Sequence, residues 1–376
     1  MPTICERCAK HPALNGLVLG SGETIHQCTT CQSQDVRALN SEDLRLIGVI
    51  RALIREHFDE WEYNGHWGGD SLYGLFQREN PILAYDASWP ASDIEDAVLP
   101  ALQDGYESAS MPISLFAGYY DGHPNMPLQA MNHGEEYRYE VLSRKIKTAN
   151  AFLLEDEAKE LLVPHLNSVR RRLPAGSEIF RARIGYVDSR FQVFARPEDP
   201  WSYFPFEAAK LGAPPPILAS AGRMNRGGVS FFYGASDPDT AVSEVRPHPG
   251  HVVSVGSFRT VRELVIADFN ELPIQDFSSS DASLDDYWAL LCIGRLFTAP
   301  VTPEERSNYV LSQLFADTLR QLGLDGVCFD SSVGRGKNFT LFEPQSVEYV
   351  PGSSNAIRVT NVSYSTKALR TAERLE

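Results

Sequence analysis

The sequence predicts an α+β protein: a small cysteine-rich ribbon, then a helical region, then a C-terminal half built on strands. Three observations predict it. Two Cys-x-x-Cys pairs open the chain, at Cys5/Cys8 and Cys28/Cys31. Leu44, Ile47, Ile50, Ile54, Phe58 and Trp61 recur at helical spacing. After Pro164 the pattern turns to alternation and to β-branched and aromatic runs, which mark strands. These changes place boundaries at 1–38, 39–168 and 169–350, with a tail over 351–376.

The chain has 376 residues, more than one ordinary core can organise. A hydrophobic content of 43% and a charged content of 22% describe a globular protein, not a disordered one. The formal net charge of −15 argues against sequence-blind binding to nucleic acid or to an anionic membrane, both of which need a basic surface. No stretch approaches the ~20 apolar residues of a membrane span. The first residues, Met-Pro-Thr-Ile-Cys-Glu-Arg-Cys, lack the apolar core of a secretory signal, so the expected location is cytoplasmic.

In such a setting Cys-x-x-Cys pairs read as metal ligands before disulfides. Each pair is a tight knuckle aiming two thiolates at one point, and nineteen residues separate the two. Cys5, Cys8, Cys28 and Cys31 therefore predict a closed, structural zinc site; the alternative is a pair of redox dithiols. Gly16, Gly20 and Gly22 between the knuckles suit a small hairpin.

Residues 40–65 read as a helix capped by Asn40 or Ser41, with Glu42 and Asp43 at its positive end. Arg51 and His57 lie on it with five residues between them. That spacing resembles the Arg-x4–6-His signature of HEPN ribonucleases, and equally fits two solvated residues on an amphipathic helix. Residues 66–90 read as loop and short helix, and Ser92-Asp93-Ile94-Glu95 as a capping box opening another helix. Residues 109–133 are irregular. Residues 134–163 read as one or two helices, with Glu135, Glu136 and Glu140 early and Arg144, Lys145 and Lys147 late, the order that complements a helix dipole.

In the C-terminal half, 173–176 is a turn and 177–184 a strand. Alternation puts Arg181 and Arg183 on one face and Phe180, Ala182 and Ile184 on the other. Two arginines on a half-buried strand face call for an anion, or for solvent. Residues 191–220 are rich in Pro, Ala and aromatics, stiffened by Pro214-Pro215-Pro216. Then comes the densest stretch, 222–250. Gly222-Arg223-Met224-Asn225-Arg226-Gly227-Gly228 is a loop, 229–233 a strand, and Pro238 suits the first position of a short helix that carries Glu244. A cationic loop, an aromatic strand and a single acid suggest a site for an anionic ligand; a surface salt bridge is the plainer reading. Strands follow at 251–258 and 263–268, helices at 286–297 and 304–322, and strands at 326–330, 339–342 and 347–350. Gly334-Arg335-Gly336-Lys337-Asn338 reads as a flexible cationic turn, and the last dozen residues as a frayed helix.

Taken in order, Phe180-Arg181, Gly222-Arg223-Met224-Asn225, Tyr233-Gly234-Ala235, Glu244, Gly326-x-x-Phe329-x-Ser331 and Asn338 resemble the RES domain, named for its Arg, Glu and Ser. The resemblance covers about residues 170–345. That family comprises bacterial toxins that consume NAD, with a fold similar to the diphtheria-toxin-like ADP-ribosyltransferases. It implies an ADP-ribosyltransferase-like sheet core for 169–350. The helical region resembles the HEPN-like domain that precedes some RES domains. Position by position, the family's arginines fall on Arg181 and Arg223, its tyrosine on Tyr233, its glutamate on Glu244 and its serine on Ser331, with Ser332 adjacent. Met224 and Arg226 stand where Phe and Pro are usual, Phe329-Asp330 where Tyr-Pro is usual, and 191–220 is long.

The resemblance implies an enzyme that cleaves the nicotinamide–ribose bond of NAD, with NAD as substrate. Glu244 would stabilise the oxocarbenium-like state, Tyr233 would pack on nicotinamide, and Arg181 and Arg223 would clamp the pyrophosphate. Ser331 would orient the glutamate or the ribose, with Asn225, Ser332 and Asn338 nearby. Water as acceptor gives a glycohydrolase, and phosphate, held by Arg183 or Arg226, a phosphorylase. A protein side chain as acceptor would make it a protein ADP-ribosyltransferase. A non-catalytic zinc-ribbon and helical binding module is the reading from another class. An NAD-draining toxin needs restraint, by a co-produced antitoxin or by its own N-terminal region.

Overall fold

The computed structural model describes residues 2–63, 69, 82–84, 129–192, 201–270, 272–301, 309–363, 365, 366 and 368. The capping box at 92–95, most of the loops at 66–90 and 109–133, residues 304–308 and the last residues of the tail lie outside them. The chain divides into two compact units, residues 1–169 with 271–296, and residues 170–270 with 297–376. Both helices and antiparallel and mixed sheets are present, so the protein is α+β.

In the first unit, β1 (Thr3–Cys5), β2 (Glu23–Gln27) and β3 (Gln34–Asn40) form an antiparallel sheet in the order β1-β3-β2. The connection between the knuckles is a helix, α1 (Pro12–Ser21), and not the expected hairpin. His11 caps it, Pro12 takes a first-turn position, and Leu14 and Val18, four apart, are buried on one side. A side chain at Gly16 or Gly20 would meet nothing, so these glycines do not force a turn. Gly22 is different: a Cβ there would lie 2.5 Å from the Val18 carbonyl oxygen, and it ends the helix.

α2 (Leu44–His57) buries Ile47, Ile50 and Ile54 of the expected stripe, with Leu46 and Leu53 beside them and Phe58 just after its end, whereas Leu44 at its first position and Trp61 beyond it are exposed. Its cap is Asp43, whose carboxylate accepts from Arg45 N at 2.9 Å. Asn40 does not cap it because Asn40 still belongs to β3. α3 (Tyr137–Lys145) and α4 (Glu155–Leu162) carry acids in their first turns and bases in their last. The helix Asp281–Thr298 lends its residues up to Leu296 to this unit, where Trp288 and Arg295 donate to the Gly134 carbonyl.

The second unit is built on a nine-stranded sheet, β13-β9-β5-β8-β12-β11-β10-β4, with β14 also on β9. The strands are β4 (Arg170–Leu173), β5 (Glu178–Ile184), β8 (Phe232–Ala235), β9 (Val252–Thr260), β10 (Leu264–Asp268), β11 (Gly326–Asp330), β12 (Lys337–Leu341), β13 (Val347–Tyr349) and β14 (Asn355–Arg358). A separate hairpin, β6 (Asp188–Phe191) with β7 (Trp201–Phe204), occupies part of the 191–220 stretch. Two helices complete the unit: α5 (Pro238–Glu244) and α6 (Tyr309–Gln321). Side-chain alternation gives the sheet two dry faces. Ile179, Phe232, Phe258 and Ile266 pack on one; Ala182, Ala235 and Ala241, with Val253 and Val255, pack on the other. The alanines let α5 sit close against the sheet.

The sheet is not evenly knitted. β5 pairs with β9 over seven register positions, and β8 with β12 over four. β5 and β8, which join these two leaves, share one position, Phe180↔Ala235. Beyond it the strands part, and the opening between them becomes a cleft.

Candidate active site

The cleft encloses about 540 Å³ and is lined from both arms of the fork, by Arg181 and Ala182 on β5 and Tyr233 and Gly234 on β8. Glu244, at the last position of α5, faces into it, with Arg223 and Asn338. Three distant segments therefore converge on one cavity.

α5 forms where the sequence predicts it. Asp237 caps it by accepting from Thr240 N at 2.8 Å, and Pro238 supplies the first turn. Glu244 Oε1 accepts two short hydrogen bonds, 2.6 Å from Ser331 Oγ and 2.6 Å from Asn338 Nδ2. Ser331 Oγ itself accepts from the amides of Gly334 at 2.8 Å and Val333 at 3.2 Å. With its oxygen engaged twice, its one proton is directed at the carboxylate. This arrangement positions the carboxylate; among the described residues no histidine or lysine hydrogen-bonds the serine to activate it as a nucleophile. Glu244 Oε2 has no hydrogen-bond partner among the described residues.

The loop 331–336 lies flush on α5, and two glycines allow it. A Cβ at Gly336 would fall 2.0 Å from Asp237 Oδ2, and one at Gly334 2.8 Å from Thr240. Gly336 N donates to Thr240 Oγ1 at 3.0 Å and Lys337 N to Ser236 Oγ at 2.9 Å. The turn expected to be flexible is a fixed brace for the glutamate.

Tyr233 is held by its hydroxyl, which donates to Asn225 Oδ1 at 2.7 Å and accepts from Met224 N at 3.2 Å. Burial pushes that hydroxyl up to about 12, so it stays neutral. Asn225 is buried and donates to the carbonyl oxygens of Ser220, Arg226 and Val229; it pins the loop and the tyrosine and does not line the cleft.

The arginines divide by what they hold. Arg181 donates through Nε to the Leu211 carbonyl at 2.9 Å and through Nη1 to the Tyr233 carbonyl, spanning the fork. Burial lowers its guanidinium to about 10, still charged at neutral pH. Arg223 donates to the Phe297 carbonyl and lies 5.9 Å from the Phe329 ring centre. Arg183 and Ser332 are exposed and do not line the cleft; Arg183 stacks 4.7 Å from the Phe206 ring and donates to the Lys210 carbonyl. Arg226 is paired with Asp317 at 2.7 Å. Arg246, which sequence reasoning passed over, does line the cleft. Only its place two residues beyond Glu244 could have flagged it.

In the first unit the Sγ atoms of Cys5, Cys8, Cys28 and Cys31 all lie within 4.8 Å of one another. The separations Cys5–Cys8, Cys5–Cys31 and Cys8–Cys28 are 3.7, 3.4 and 3.9 Å. A tetrahedron of thiolates at ~2.3 Å from zinc has edges of about 3.8 Å, so these four residues fit that ion. Hydrogen bonding to Cys28, with burial, pushes the Cys5 thiol up to about 12; four crowded sulfurs in so dry a place call for a cation. Arg51 and His57 are not brought together: they stand about 120° apart around α2. Arg51 lines a cavity with Ser278 and Ser280, while His57 meets Asn132 at 3.2 Å and the His11 ring at 5.5 Å.

A forked sheet thus holds a braced carboxylate and three guanidinium groups around one cleft. A RES domain is matched over residues 193–360. That span holds Arg223, Asn225, Tyr233, Glu244, Ser331, Ser332 and Asn338, and begins after Arg181 and Arg183. Among solved structures, the crystal structure of the M. tuberculosis MbcT–MbcA toxin–antitoxin complex contains a chain similar to this one. The two are 11% identical, with a TM-score of 0.28, over 54% of this chain and 94% of that one. No curated protein matches the chain.

Proposed function

We propose that the protein is a RES-type enzyme that cleaves the nicotinamide–ribose bond of NAD and acts as a toxin. The observation that carries this reading is Glu244, one oxygen fixed by Ser331 and Asn338 and the other without a partner among the described residues, in a cleft with Arg181, Arg223 and Tyr233. The RES match supplies the reaction class, and a cleft of about 540 Å³ is of the size that binds small molecules. An arrangement like that of the ADP-ribosyltransferases is part of the proposal.

When the glycosidic bond breaks, its electron pair leaves with nicotinamide and positive charge grows on the ribose. Glu244 Oε2 accepts from a ribose hydroxyl and lies close to that charge, which it stabilises more in the transition state than in the ground state. Ser331 and Asn338 keep the carboxylate aimed. Tyr233, its hydroxyl occupied, offers its ring for packing against nicotinamide, not its proton. Water or phosphate then attacks the anomeric carbon. Arg226 is committed to Asp317 and Arg183 lies off the cleft, so neither supports a phosphate subsite.

Zinc held by Cys5, Cys8, Cys28 and Cys31 is proposed as a structural staple of the first unit. An enzyme that drains NAD must be restrained in its own cell, so an inhibitory partner belongs to the proposal. Purified protein incubated with NAD, with and without inorganic phosphate, is expected to release nicotinamide. ADP-ribose as the other product identifies water as acceptor, and ADP-ribose-1″-phosphate identifies phosphate. No release under either condition contradicts the proposal.

A further inference from the structure

We propose that Arg246 grips the diphosphate of the dinucleotide and sets the affinity for it. This rests on the reading of the cleft as an NAD site. Three guanidinium groups line that cleft, and two are already tied into its frame. Arg181 bonds the carbonyls of Leu211 and Tyr233, and Arg223 that of Phe297. Arg246 is exposed, and among the described residues its one side-chain hydrogen bond is a long one, 3.5 Å to the Val301 carbonyl. It is the cleft arginine with most of its donor fork left for a ligand.

The backbone points the same way. Arg246 has φ +47°, in the left-handed region, and its amide donates to Ser243 O where α5 ends. Glycine is the usual residue at this position after a helix, since it bears no Cβ penalty there. Of the four non-glycine residues with positive φ among the described residues, Arg246 alone lines the cleft. An arginine at a backbone position that favours glycine, at the rim of a cavity, points to a use for its side chain. It stands two residues past Glu244, so one helix end presents both the acid for the ribose and the cation for the adjoining diphosphate.

Arg246→Gly separates binding from folding, because glycine suits this backbone. The variant is expected to keep or raise the wild-type Tm. Its KM for NAD and its Kd for ADP-ribose, measured by calorimetry, should rise about ten- to a hundredfold with kcat nearly unchanged. Cleavage of nicotinamide riboside, which lacks the diphosphate, should be the same in variant and wild type. Arg246→Lys should restore part of the lost affinity. Equal ADP-ribose binding by wild type and Arg246→Gly overturns the assignment and leaves the NAD reading standing. Failure of the wild type to bind ADP-ribose overturns both. A lowered Tm in Arg246→Gly, with parallel losses on both substrates, assigns Arg246 to the fold instead.

Discussion

Two hydrogen bonds of 2.6 Å decide how Glu244 is used. Each is charge-assisted and worth about 1.5–3 kcal/mol. Ser331→Ala and Asn338→Ala are each expected to lower kcat on the order of ten- to a hundredfold with little change in KM, since they release the carboxylate without touching the diphosphate. The double variant should lose less than the product of the two, because both act on one oxygen. A rise in KM with kcat intact would move these residues from positioning to binding. The acid, the tyrosine and two of the cleft arginines, Arg181 and Arg223, were legible as residue types in order along the chain. What the two arginines hold was not, because a guanidinium bonded to a carbonyl and one awaiting an anion look alike in sequence. Asn225 shows the same limit: its carboxamide is spent on three backbone carbonyls and one phenol.

Elements were legible where one local signal dominated. Asp237-Pro238 fixed the start of α5, and alternation fixed β5. α1 was missed because Gly16 and Gly20 suggest turns, while the buried pair Leu14 and Val18 outweighs them. The turn 334–338 was read as flexible from Gly334 and Gly336, whereas these glycines serve close contact with α5. Gly336→Ala should therefore lower Tm and kcat together, by displacing the brace that holds Ser331. Gly227→Ala is the comparison: its Cβ would meet nothing nearer than 3.9 Å, and both quantities should stay near wild type. Equal tolerance at both positions would show that the brace is not rigid. The fork between β5 and β8 has no local signature, since it is a property of pairing between strands far apart in sequence.

At the scale of the molecule, the first unit carries the four-cysteine cluster proposed to hold zinc. Purified protein should carry one zinc per chain, and chelation or Cys28→Ser should lower the Tm of the first unit, since such sites contribute folding energy directly. Metal-free protein with unchanged melting would remove the staple. Acid should also weaken this unit. Burial holds the His57 and His11 rings below their usual 6.5, so the folded state favours them neutral. That contribution is complete above pH 6.5 and is lost as pH falls through the folded values, whereas the raised carboxyl of Glu56 acts the other way. Melting scans from pH 7.5 to about 5 should show a falling Tm, less steep in His57→Asn. The division of the chain was legible only in part, because residues 271–296 return to the first unit and no change of composition announces it.

The central claim is that the carboxylate at the end of α5 carries the chemistry of this cleft. Nicotinamide release from NAD, followed for wild type and for Glu244→Gln with matched circular dichroism and Tm, tests it most directly. Steady release by wild type and a loss of at least about a hundredfold in the variant are expected, in keeping with the removal of a charge aimed at the transition state. Release by Glu244→Gln at the wild-type rate would contradict it.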